Sequence, residues 1–124
     1  MNKQAGFTLI ELVAVLVILA LLGAMAVPRF ADIQNDALGA AQDGSSNAVK
    51  SAHSIAIANL KQLPTVTELA ARVGGATTNP TAVNTGVQVT INGTDYIVPT
   101  YTDTTCGAAT AAVGNIVACV GSIP

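Results

Sequence analysis

Gly6-Phe7-Thr8-Leu9-Ile10-Glu11-Leu12 opens the run GFTLIELVAVLVILALLGAMAV, which continues to Val27 and holds one charged residue, Glu11. From Phe7 to Val27 the run has 21 residues. At about 1.5 Å per residue a helix of that length reaches about 31 Å, enough to cross the hydrocarbon core of a bilayer. The residues before it, Met1 to Gly6, are polar, carry one positive charge at Lys3, and abut the run directly. A basic flank stays cytoplasmic, so the chain after the span faces outward. A secretory signal places its small-residue cleavage site beyond the apolar region; here the small residue comes first. Cleavage after Gly6 would remove the polar leader and keep the membrane helix, the reverse of ordinary signal processing.

The remainder is sized for one domain. The chain has 124 residues, 51% hydrophobic and 10% charged, with two cysteines and a formal charge of -2, which supports one small core. Lys3, Arg29, Lys50, Lys61 and Arg72 are scattered along the chain, so no basic stripe tracks a phosphate backbone and nucleic-acid binding is not expected of the isolated chain. His53 is the only histidine, and no Ser, Asp or Cys at interpretable spacing surrounds it. Neither catalysis nor a metal or other cofactor is expected.

From Arg29 the pattern turns amphipathic. Ile33, Ala37, Ala41, Gly44, Ala48, Ala52 and Ile55 recur at spacings of three and four, which predicts that the helix continues to about Leu63 with this face inward. Pro64 stops it by disfavouring helical geometry in the residue before it. Thr65 and Glu68 have capping-box spacing for a short helix to Val73, with Val66, Leu69, Ala70 and Val73 as its apolar face and Gly74-Gly75 as the stop. Residues 76–85, rich in Thr, Asn and Pro, read as a loop. Val87, Val89 and Ile91 alternate with polar partners, Asn92-Gly93 suits a two-residue turn, and Tyr96-Ile97-Val98 resumes the strand, so a hairpin is expected. Pro99 makes the second strand's end irregular or places it on an edge, and Ile116 to Val120 reads as a third strand. The fold class is α+β: a long N-terminal helix, apolar then amphipathic, on a small antiparallel sheet.

The motif from Gly6 to Leu12, joining a leader, a glycine, an apolar helix and one acidic residue at a fixed place, resembles the processing site of type IV (type IVa) prepilins. Within that family, Ala26-Val27-Pro28-Arg29-Phe30, the Ala- and Gly-rich helix after it and the late cysteine pair look most similar to mannose-sensitive haemagglutinin pilins. The resemblance implies a leader at residues 1–6, an apolar membrane and assembly helix at 7–27, and an amphipathic helix plus globular head at 28–124. It implies a prepilin peptidase that cuts after Gly6 and methylates the new amino terminus of Phe7. The inner-membrane assembly machinery and copies of the chain itself are the other partners it implies. The subunit would wait in the inner membrane as a single-pass protein and then enter an extracellular filament serving adhesion, surface attachment or motility.

Glu11 carries the physical side of this reading, because a carboxylate in a membrane span costs about 3 kcal/mol or more unless a partner or a proton offsets it. After cleavage the α-amino group of Phe7 is a cation four residues away, and the resemblance implies that Glu11 meets that group on a neighbouring subunit. Gly23 and Pro28 mark an expected helix break, since Pro28 lacks the amide that would bond Ala24 and its ring crowds that carbonyl. Ala40, Gly44, Ala48, Ala52 and Ala56 form a smooth ridge for close packing, against the subunit's own sheet or another subunit's helix. Cys106 and Cys119, on a chain exported to oxidising conditions, are expected to form a disulfide, and by resemblance the segment between them is a loop on the filament surface. The alternative is a pseudopilin of a type II secretion system, which shares the cleavage motif and Glu11. Against it, the tail from Cys106 to Pro124 has no Asp or Glu for the calcium that major pseudopilins commonly hold.

Overall fold

The computed structural model describes residues 6–74 and 80–124. The elements run α1 (Leu9–Leu60), α2 (Val66–Ala70), β1 (Thr81–Val83), β2 (Gly86–Ile91), β3 (Thr94–Tyr101) and β4 (Cys119–Val120). The chain divides into two compact units, Met1–Ala37 and Leu38–Pro124.

The first unit holds the N-terminal part of α1. Its helix spans the apolar run with a mean hydropathy of 2.8 and none of that window buried. Leu9, Leu16, Leu21 and Val27 are all exposed. α1 is helical through Gly23 and Pro28, so the break expected there is not an interruption of the element in the single subunit. The weakness remains: Pro28 has no N–H to offer the preceding turn.

The second unit is the head. One four-stranded antiparallel sheet in the order β1-β2-β3-β4 builds its core with both helices. Val49 and Ala52 of α1 join Val66 and Leu69 of α2, Val87, Val89 and Ile91 of β2, Val98 of β3 and Val117. The β2–β3 hairpin closes from Ile91 to Thr94, and Asn92 and Gly93 both take positive φ, 51° and 80°, as a type I′ turn requires. α2 is shorter than the expected Thr65–Val73, but its capping box is formed, Glu68 N donating to the Thr65 hydroxyl and Thr65 N to the Glu68 carboxylate. It ends before Gly74, and the four apolar residues expected on its face, Val66, Leu69 and Ala70 within it and Val73 beyond its end, are all buried.

Five expectations need correction. The period of α1 was right but the expected face is only partly the buried one: Ala52 is in the core and Ala41 and Ala48 pack against it, whereas Ser45, Ser46, Val49 and Ala56 are also buried and Ile33 and Ile55 are exposed. Buried Ser46 is satisfied on this side: its hydroxyl donates to the Gln42 carbonyl one turn back in the same helix and its Oγ accepts the Ile123 amide. The helix ends at Leu60, not Leu63. Lys61, at φ 54°, takes the left-handed position that ends a helix and donates to the Ile57 carbonyl at 2.8 Å.

Of the expected loop at 76–85, residues 76–79 lie outside the described residues, and Thr81–Val83 is a strand paired with β2 in the register Val83↔Gly86. Only three residues long, it gives the sequence no alternation to read. The expected third strand at Ile116 to Val120 is reduced to Cys119–Val120, with Ile116 bridged to Thr65 instead. Pro99 is inside β3, which is flanked by β2 and β4. With a two-residue turn the ladder bonds fall on alternate pairs, so Pro99 turns its missing donor away from β2. β4 pairs only with Thr100 and Tyr101, so that donor is not needed.

Candidate assembly site

Gly6, Phe7 and Thr8 precede the helix and are exposed, Phe7 at 94%. The Gly6–Phe7 bond is therefore non-helical and reachable. A Cβ added at Gly6 meets nothing within 4 Å among the described residues, so no contact with them demands glycine there.

Thr8 and Glu11 form a reciprocal cap. Thr8 N donates to Glu11 Oε2 at 2.9 Å and Glu11 N to Thr8 Oγ1 at 3.3 Å, satisfying two donors that the start of a helix leaves without partners. Thr8 is the residue that sequence reasoning missed at this end. Its three-residue spacing to Glu11 was the signal, the same one read correctly for Thr65 and Glu68. No cation pairs with Glu11 among the described residues. Gly23 and Pro28 lie far along the same helix and are not brought to this end.

Cys106 and Cys119 are bonded, with Cα atoms 5.5 Å apart, as expected. The segment they bound wraps the end of β3. Thr102 N donates to the Ala108 carbonyl and Thr110 N to the Thr100 carbonyl, while Ala118 N donates to Tyr101 and Gly121 N to Pro99. Consecutive strand residues turn their polar groups to opposite edges, so the loop grips both. Buried Thr100 and Thr110 also share a hydroxyl–hydroxyl bond of 2.8 Å. From the same loop, the Asn115 and Val113 carbonyls accept the Val66 and Thr67 amides that open α2, and His53 Nε2 lies 2.8 Å from the Val117 carbonyl. His53 is thus a packing residue of the head.

Asp103 was not read as structural from the sequence. Its carboxylate accepts the Thr105 hydroxyl and the Ala108 and Gly107 amides, which hold its pKa below the usual carboxylate value. The turn it braces carries Cys106 at φ 57°. Gly107, Ala109, Ala111 and Val113 of the loop are exposed. The small-residue ridge of α1 divides: Ala52 and Ala56 are buried in the head's core region, whereas Ala40 and Gly44 are exposed.

Comparison with known proteins bears on this arrangement. The prokaryotic N-terminal methylation motif matches residues 1–27. The chain is 41% identical over 91 residues, 73% of its length, to the type IV narrow pilus major component PilA5 of Thermus thermophilus, of which it covers 78%. No solved structure matches significantly. A methylation motif at an exposed helix start, an uncovered apolar helix and a disulfide-closed α+β head therefore have one explanation: the chain belongs to the type IV pilins, structural subunits held in the inner membrane before they assemble into an extracellular pilus.

Proposed function

We propose that Phe7 and Glu11 make the contact that polymerises this pilin. Prepilin peptidase cuts after Gly6 and methylates Phe7, and Glu11 of one subunit then meets the amino terminus of the next, neutralising both groups within the apolar filament core. The observation that supports this most is the state of Glu11: a carboxylate at the start of an exposed apolar helix, hydrogen-bonded to the Thr8 amide but facing no cation among the described residues. A charge so placed is costly in a membrane and gains most from a partner of opposite sign.

On this reading, copies of the chain and the inner-membrane assembly machinery are its partners. The filament serves adhesion, surface attachment or motility, with the disulfide-bounded loop on its outside. The Thermus relative is named as a major component, which favours the same role here over a secretion pseudopilin. The finer likeness to mannose-sensitive haemagglutinin pilins rests on residues 26–30, the small-residue helix and the cysteine pair. Packing in the filament draws on the weak point at Gly23 and Pro28, where loss of helix lengthens each subunit.

The test is Glu11→Ala and Glu11→Leu, with cleaved subunit in the membrane and sheared filament measured separately. Both variants are expected to insert and be cleaved but to yield far less filament. Normal filaments from both would refute the role given to Glu11.

A further inference from the structure

Arg29, Asp32 and Asp36 are the first charges after Glu11. All three are exposed, and none makes an ion pair or a side-chain hydrogen bond among the described residues. Asp32 and Asp36, four residues apart on one helix, repel each other. The lone subunit thus leaves a cation and two anions unmatched at the outer end of its apolar span.

Their placement on α1 is not arbitrary. At about 100° per residue, Arg29 and Asp36 lie about 20° apart around the helix and Asp32 about 60° from Arg29. Glu11 precedes Arg29 by eighteen residues, about five full turns, so the two share one line along a helix that is continuous from Leu9 to Leu60.

Now consider a parallel neighbour whose Phe7 amino group stands beside Glu11. It is displaced by four residues, about 6 Å along the axis, so each of its residues stands level with the residue four further on in the first chain. Its Arg29 then stands level with Ile33, between Asp32 and Asp36. Lengthening at Pro28, applied equally to every copy, leaves this axial offset unchanged; it turns Arg29 away from the line of Glu11, but Arg29, Asp32 and Asp36 all follow Pro28 and keep their placement relative to one another.

We propose that Arg29 of each subunit pairs with Asp32 and Asp36 of its neighbour, a second ionic contact in the same register as the first. The inference rests on the reading of Glu11, which sets the displacement. The partner is another copy of this chain, because the surface continues the apolar assembly helix and carries both signs of the charge it needs. Where Glu11 works inside the apolar layer, this contact works just beyond it and disfavours an unstaggered alignment, in which each copy's Asp32 and Asp36 would stand level with the same residues of its neighbour.

The experiment compares Arg29→Asp, the exchange variant Arg29→Asp with Asp32→Arg and Asp36→Arg, and Glu11→Leu. Cleaved membrane subunit is the control for folding and insertion. Arg29→Asp is expected to lower sheared filament by about tenfold, the change that about 1.4 kcal/mol per added subunit brings, and the exchange variant to recover most of it. Arg29→Cys and Asp32→Cys on separate co-expressed copies should cross-link into dimers within filaments, the native cysteines being bonded to each other. Normal filament from Arg29→Asp beside a defect in Glu11→Leu overturns the second contact alone; normal filament from both overturns the Glu11 reading as well. Lack of rescue by the exchange together with lack of cross-linking also overturns the pairing.

Discussion

Glu11 was readable because a carboxylate is conspicuous in an apolar run. Asp103 and Gly86 were not, because their roles depend on what the folded chain brings beside them. A Cβ at Gly86 would run into the Val98 carbonyl oxygen and stand 3.1 Å from the Pro99 Cα, a constraint that exists only once β2 and β3 are in register. Gly86→Ala is therefore expected to cost about 1–3 kcal/mol by overpacking, read by chemical denaturation of the detergent-solubilised chain; an unchanged midpoint would contradict the close approach. The cysteine pair was legible from export alone, and the loop it closes, with a separation of 13 residues, is worth about 3 kcal/mol in the chain-entropy view. Paired replacement Cys106→Ser with Cys119→Ser should lower the head's stability by about that amount, measured in the same way. The alternation of Val87, Val89 and Ile91 gave the hairpin, but nothing local announced that Thr100 and Thr110 would bond to each other in the interior.

At the scale of elements, two capping boxes with the same spacing sit in different surroundings: Thr8–Glu11 on the apolar helix and Thr65–Glu68 in the head. The second has a measurable worth. Thr65→Ala should destabilise the head by about 1 kcal/mol, and retention of wild-type stability would show that the cap is redundant with the Asn115 and Val113 carbonyls. The Thr65 amide, and then its hydroxyl, hold the Glu68 pKa below its usual value, as the Thr105 hydroxyl and neighbouring amides do for Asp103. Both shifts are downward in the folded state, so their contribution is complete above the ordinary carboxylate range and is lost as pH falls through the lowered folded values. Thermal melting should be flat above that range and decline below it, with a shallower decline in Glu68→Gln; an identical acid profile for that variant would remove Glu68 from the account. For α1 the sequence period was sound and the expected face was right at Ala41, Ala48 and Ala52 only, since spacing cannot tell which side of a small-residue helix will find hydrogen-bond partners such as the Ile123 amide. Pro28 shows the reverse limit. The residue is plain in the sequence, yet α1 runs through it, and its proposed melting belongs to the filament. Filaments of Pro28→Ala should extend less under force than the parent in single-filament pulling, and equal extension would remove the proline from that role.

At the scale of the molecule, the chain combines an N-terminal unit that buries none of its apolar span with a head that closes its own core. The first has its reason in the membrane and then in the polymer; the second buries its core against its own helices and sheet. That division was legible in the composition, because the apolar run spends so much of the chain's hydrophobic content in one place. The short strands β1 and β4 were not, since three and two residues leave no pattern to detect. The central claim is that one chain is trimmed after Gly6, exported and polymerised through the helix thereby freed. Intact-mass spectrometry of filaments sheared from the cell surface tests it most directly. The account predicts a mass beginning at Phe7, with one added methyl group and two hydrogens missing for the Cys106–Cys119 bond; an unprocessed chain beginning at Met1, found only in the membrane fraction, would contradict it.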